Sequence, residues 1–91
     1  MDVEKMVECI DKYKLSLHKE ITSEIIGGIF AEFNRYIIKH PECNAEEHPV
    51  FEKAKEVWLL RESVLEAKNI SELVQIKAEA KAAVEWLKCQ Y

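Results

Sequence analysis

The fold of this chain depends on residues 17–30, LHKEITSEIIGGIF, where the apolar pattern changes phase and the only two glycines stand side by side. Two adjacent glycines inside a helix cost roughly 2 kcal/mol relative to alanines. A fold that keeps them must recover this free energy elsewhere. We therefore expect Gly27 and Gly28 to mark a kink or a place where another backbone comes unusually close, and we assign both to an interaction surface.

Two apolar stripes with helical spacing meet in this stretch. The first consists of Val3, Met6, Val7, Ile10, Tyr13, Leu17 and Ile21, and the second of Ile25, Ile26, Ile29, Phe30, Phe33, Tyr36 and Ile37. At 100° per residue, the second stripe lies roughly 140° around the helix from the first. A straight helix cannot aim both at one core. The sequence predicts either a break between Leu17 and Ser23, which we favour, or one long kinked helix whose two ends serve different neighbours.

Capping residues and prolines predict the other helix boundaries. Asp2 is a suitable N-cap for the first helix, and Pro41 requires the helix before it to end by His40. Pro49 fits the first turn of the next helix. That helix should be the central and most buried element, because its apolar stripe is wide: Val50, Phe51, Ala54, Val57, Trp58, Leu60, Val64 and Leu65.

The last helix is predicted from about residue 72 to residue 89. The pattern Asn69-Ile-Ser-Glu72 resembles a capping box, and Leu73, Ile76, Ala80, Ala83, Val84 and Leu87 share one face. Short connections favour antiparallel neighbours. The predicted fold is therefore all-α, an antiparallel up-and-down bundle of three to four helices in a single domain, residues 1–91.

Composition and charge narrow the classes of function. Apolar residues make up 48 % of the chain and charged residues 33 %, a typical globular balance. No apolar run approaches the ~20 residues that cross a bilayer, so we expect no membrane association and a cytoplasmic protein. The net charge of -4 argues against nucleic-acid binding. Three widely spaced cysteines predict reduced thiols rather than a disulfide framework.

The acidic segment 41–48 contains the one constellation that could bind a metal. His40, Cys43 and His48 supply the nitrogen and sulfur ligands that zinc prefers. Their spacing matches no established ligand pattern and offers no fourth ligand. The alternative places His40 at a helix C-terminus and His48 at an N-cap, and we favour it, so no metal or cofactor is expected.

One arginine and several apolar residues point to contact surfaces. Arg61 lies within the apolar stripe of its helix, so it must pair with a carboxylate such as Glu32, stack on an aromatic ring or reach solvent. Large apolar residues also lie off the main helix faces: Leu15, Leu59, Val74 and Trp86. Such surplus apolar surface favours a homodimer.

Catalytic motifs are absent from the sequence. It contains no glycine-rich phosphate loop, no nucleophile elbow and no paired metal-binding helices. We expect a noncatalytic helical interaction module, of the adaptor, inhibitor or immunity-like kind, that self-associates and presents an acidic rim of Glu42, Glu46 and Glu47 to a protein partner. The alternative is a small metal-binding or redox-sensing protein that uses residues 40–48.

Overall fold

A computed structural model describes residues 2–90 of the chain. Within residues 2–90 the regular structure is helical and includes no strand, which confirms the all-α class. Helix α1 spans Val3–Lys39, α2 spans Pro49–Glu66 and α3 spans Ile70–Lys88. A single 3₁₀ turn, Pro41–Cys43, follows α1.

Helix α1 is continuous for 37 residues, so the favoured break between Leu17 and Ser23 is wrong. Thr22, which a helix starting after such a break would use as its N-cap, is a buried residue in the helix interior. Two physical reasons account for this. No glycine or proline stands between Leu15 and Thr22 to end the helix. The change of phase also requires no break, because only the second apolar stripe packs on the core.

The core forms where the C-terminal half of α1 packs against both α2 and α3. Ile26 and Phe33 of α1 are fully enclosed there. The predicted apolar face of α3 is buried apart from the partly exposed Val84. The prediction that α2 is the most buried helix is wrong, since Trp58 and Leu65 are exposed. One side of the wide apolar stripe of α2 packs against the core, and the other side is exposed to solvent.

The helix starts confirm the capping predictions. The Asp2 side chain accepts a hydrogen bond from the Glu4 backbone N–H at 3.2 Å. Pro49 is the first residue of α2. At the start of α3 the Asn69 side chain accepts from the Glu72 N–H at 2.9 Å, and the Glu72 carboxylate accepts from the Lys68 N–H at 2.7 Å. These local hydrogen bonds satisfy backbone donors that a helix N-terminus leaves open.

The N-terminal part of α1 extends beyond the bundle. At 1.5 Å per residue α1 is about 55 Å long, roughly twice the length of α2 or α3, and the molecule measures 60 × 20 × 17 Å. Every residue from Asp2 to Lys14 is exposed, and packing begins at the half-buried Leu15. We call residues 3–14 the arm. None of the helices within residues 2–90 combines the length and apolarity needed to cross a membrane.

Candidate interaction surfaces

Seven of the twelve exposed large apolar side chains of the described residues lie along the arm and the two turns of α1 that follow it. We call this surface the outer stripe; its side chains are 42 % to 71 % exposed, and they belong to Val3, Met6, Val7, Ile10, Tyr13, Leu17 and Ile21. The break favoured from the sequence would have allowed this stripe to face the core as well, and it does not. The buried face of α1 follows Thr22, Ile26 and Ile29, which places the outer stripe on the far side of the helix.

The outer stripe has the spacing of a coiled-coil seam. Its steps alternate between four and three residues through Val3, Val7, Ile10, position 14, Leu17 and Ile21. This 3.5-residue period is the pattern by which two helices interdigitate. Lys14 occupies the one polar seam position, and single polar residues at such positions select register and oligomeric state. The surface is therefore suited to pairing with another helix.

A second apolar surface is a groove between α1 and α2. Its walls are made by Phe30, Ile37, Phe51, Trp58 and Leu59, and it encloses about 500 Å³. The rings of Phe30 and Trp58 pack with centroids 5.0 Å apart and planes inclined by 50°. Such a tilted pair contributes about 0.5–1.5 kcal/mol beyond the area that it buries. The contact between Phe30 and Trp58 thus holds these two walls of the groove in place.

Arg61 lies beside this groove and is exposed. Its guanidinium carbon stands 4.9 Å from the Trp58 ring centroid, which is the geometry of a cation–π contact. Glu32, the carboxylate considered as its partner, pairs with Arg35 instead. Of the three outcomes expected for Arg61, stacking on an aromatic ring and reaching solvent are therefore both observed, and pairing with Glu32 is not.

The four apolar residues expected to form a surplus surface divide into two pairs. Leu59 and Val74 are more than half exposed. Leu15 and Trp86 are partly buried against the core, and the Lys53 ammonium lies 5.7 Å from the Trp86 ring centroid. Trp86 is therefore mainly a packing residue in this chain, whereas Leu59 belongs to an open surface.

The glycine pair meets no other part of the chain. A Cβ atom built on Gly27 or Gly28 finds no atom of the described residues within 4 Å beyond its helical neighbours, and both have negative φ. The expected close approach of another backbone is thus wrong for residues 2–90. The reason is placement: Gly28 follows Ile21 by seven residues, so it continues the exposed side of α1.

The segment between α1 and α2 places its three potential ligands in separate roles. The His48 ring accepts a hydrogen bond from the Val50 N–H at 3.1 Å through Nδ1, as an N-cap. His40 stacks on Tyr36, with centroids 4.4 Å apart, and its Nδ1 lies 3.5 Å from a Glu42 oxygen. Within the described chain no three His, Cys, Asp or Glu side chains are arranged to hold a metal ion.

Cys43 is buried, in contrast to the exposed Cys9 and Cys89. Burial, with a smaller contribution from the nearby Glu42 carboxylate, raises the pKa of the Cys43 thiol above its ordinary value. A thiol of this kind is less ionised at neutral pH and less nucleophilic than a free cysteine. Among the three cysteines, Cys43 is therefore the one whose thiol is both shielded from solvent and held in its neutral form.

The acidic residues of this segment lie on the surface. Glu42, Glu46 and Glu47 are all exposed, and basic residues are absent from positions 40–48 other than the two histidines. They form an acidic rim at the end of the bundle opposite to the arm. Comparison with known protein families, curated proteins and solved structures finds no match to this chain.

Sequence reasoning identified Leu59 and Arg61 at exposed positions but missed the outer stripe as a binding surface. The sequence of residues 3–21 does contain a signal for such a surface, because the spacing between successive seam positions alternates between four and three residues. The stripe was assigned to the core because a stripe of helical period normally faces the helix's own domain. Only the packing of α2 and α3 on the opposite face of α1 shows that the stripe lacks an intramolecular neighbour among the described residues.

Proposed function

We propose that this protein is a noncatalytic helical interaction module that self-associates through the outer stripe of α1. One observation carries the proposal: an exposed seam of coiled-coil period, apolar at every position except Lys14, lies on a helix that extends past its own bundle. Soluble proteins rarely leave a contiguous apolar surface of this length open, and those that do use it for binding.

The arm supplies a second argument. Most helical stability in proteins comes from packing of an amphipathic face, and isolated helices of 12 to 15 residues are marginal in water. The 12 residues of the arm bury no side chain within the chain. A helix bound along the outer stripe would cover the seam and stabilise the arm together.

Other parts of the proposal rest on the bundle itself. We propose the up-and-down antiparallel order, supported by the contact of Lys19 in α1 with the end of α2 and by the Tyr36 hydroxyl, which donates to the Gln90 carbonyl after α3. A different protein partner would meet the acidic rim of Glu42, Glu46 and Glu47. The exposed carboxylates of this rim favour a basic surface on that partner.

Light scattering coupled to size exclusion tests self-association. We expect a mass that rises towards twice 10.6 kDa as the concentration increases through the micromolar range. Leu17→Glu places a charge in the seam and should return the mass to that of one chain. Val74→Glu is the matched control, because Val74 is likewise an exposed aliphatic residue but lies on α3, and it should leave the mass of the parent unchanged.

Two outcomes would contradict the proposal. One is a mass of 10.6 kDa for the parent at every concentration up to the millimolar range. The other is a dimer that Leu17→Glu leaves intact and Val74→Glu dissociates, which would place the contact on α3. Circular dichroism of both variants checks that each remains helical, so that a changed mass reflects association rather than unfolding.

A further inference from the structure

We infer that the occupant of the outer stripe is a second copy of this chain whose α1 runs in the opposite direction, with Ile10 of each copy facing Lys14 of the other. This inference rests on the proposed function and specifies its geometry. It follows from the order of residues along the seam and from the charges that flank it.

The seam residues match best when the two helices are antiparallel. In a parallel homodimer each seam position faces itself, so the two Lys14 ammoniums would meet inside an otherwise apolar interface. In the antiparallel arrangement centred between residues 10 and 14, Val3 faces Ile21, Val7 faces Leu17, and Ile10 faces Lys14. All six layers between residues 3 and 21 are then filled, and no lysine faces a lysine.

The charges beside the seam also favour this direction. One edge of the seam carries Glu4, Asp11 and His18, and the other carries Met6, Tyr13 and Glu20. In an antiparallel pair each edge meets its own copy, which brings Glu4 near the second copy's His18 and the two Asp11 side chains near each other at the two-fold axis. Flanking charges of opposite sign are the usual determinant of helix orientation in coiled coils, and here the opposite charge is supplied by Lys14 of both copies.

The centre of the antiparallel pair forms a compensated charge cluster. Lys14 lies beside Asp11 of its own helix, three residues earlier, and beside Asp11 of the second copy. Two lysines therefore balance two aspartates around the two-fold axis. In the parallel arrangement Asp11 would instead face Met6 of the second copy, and the two lysines would lack this shared compensation.

The position of the bundle leaves room for the second helix. Helices α2 and α3 cover the face of α1 that carries Thr22, Ile26 and Ile29, roughly 140° around the helix from the outer stripe. The antiparallel pair therefore places the two bundles at opposite ends of a shared α1 segment about 28 Å long, the length of residues 3–21. Opposed helix dipoles further favour this direction.

Cysteine cross-linking distinguishes the two directions. The background variant carries Cys9→Ser and Cys89→Ser, and it retains the buried Cys43. Val7→Cys and Leu17→Cys are then made separately in this background and oxidised alone or as an equimolar mixture. An antiparallel pair should give a disulfide-linked dimer in the mixture and little from either variant alone, because identical positions are then about 15 Å apart along the axis, beyond disulfide reach.

Each result has one interpretation. Linked dimer formed mainly in the mixture supports the antiparallel pair. Strong linking of each variant with itself, in a background whose mass is that of a dimer, overturns the direction but leaves the proposed self-association intact. A dimeric background without any linking overturns the assignment to this seam. A background of single-chain mass by light scattering overturns both the inference and the proposed function.

Discussion

The Lys19 ammonium donates a hydrogen bond to the backbone carbonyl of Leu65, 46 positions further along the chain, at 3.1 Å. This contact joins the middle of α1 to the last turn of α2. Before Leu15 the side chains of α1 are exposed, and after Thr22 one face of the helix is buried. The Lys19–Leu65 contact therefore lies at the transition between the arm and the bundle.

Alanine at either glycine should stabilise the protein. Because no atom of the described residues lies within 4 Å of a Cβ at Gly28, Gly28→Ala should increase the free energy of unfolding by about 1 kcal/mol. For a domain of this size that corresponds to about 4–8 °C in Tm. Thermal unfolding followed by circular dichroism measures it.

The control for this prediction is the reverse substitution, alanine to glycine, at another exposed position inside a helix. Ala82 is an exposed residue in the interior of α3, and Ala82→Gly should lower Tm by a comparable amount. If Gly28→Ala instead lowered Tm or dissociated a dimer, a second chain would have to approach the helix closely at Gly28.

Substitutions at two neighbouring residues of the groove should change the free energy of unfolding by different amounts, because one side chain packs against a second ring and the other is more exposed. Trp58→Ala removes the ring that contacts Phe30 and Arg61 and should reduce the free energy of unfolding by about 2 kcal/mol, less than for a fully buried tryptophan. Leu59→Ala, at the more exposed neighbouring position, should change it by less than about 0.5 kcal/mol. Urea denaturation of both variants measures the difference, and equal effects would contradict it.

His48 should act as a helix cap and not as a metal ligand. His48→Ala removes the acceptor for the Val50 N–H and should destabilise the protein by about 1 kcal/mol, whereas His48→Asn should retain most of that contribution. Equimolar zinc should leave the Tm of the parent unchanged. A zinc-dependent increase in Tm that His48→Asn abolishes would restore the metal-binding interpretation.

In the native protein, Cys43 should react with a thiol reagent more slowly than the other two cysteines. Cys9 and Cys89 are exposed and should react rapidly with a thiol reagent, and Cys43 should react only as the protein unfolds. The absorbance of released thiolate, recorded with and without denaturant, measures this. Equally fast reaction of all three thiols in the native state would contradict it.

The raised pKa of Cys43 also predicts the direction of one pH effect. Because the folded state holds the proton more tightly, the unfolded thiol ionises first, near its ordinary value of 9.0. The stability contributed by the neutral thiol is therefore fully present below that pH and is lost as pH rises through the folded pKa. Denaturation of the parent and of Cys43→Ala between pH 7 and pH 10 should show a steeper loss of stability in the parent.

The features that the sequence predicted correctly are local ones. The start of α2 at Pro49, the end of α1 before His40 and the cap at Asn69 each depend on hydrogen bonds or backbone angles within a few residues. The buried face of α3 was also correct, because its single stripe of small and branched residues offers one way to pack. These interactions form in the same way whatever surrounds the helix.

Apart from the break expected in α1, the errors concern which neighbour a helix face meets. The outer stripe was expected to meet the core and the glycine pair another backbone, and neither does among the described residues. Periodicity reports that a face is apolar, but it does not report whether that face is covered by the same chain, by another chain or by neither.

By itself, the sequence determined that this protein is helical, where α2 and α3 begin, and which side of α3 is buried, since these properties follow from caps, prolines and a 3.6-residue period. Only the tertiary structure decided that α1 is one helix and that its first stripe lies outside the core. The physical reason is length: α2 and α3 are each about half as long as α1, so they can cover only one part of it, and the seam of residues 3–21 is left facing away from them.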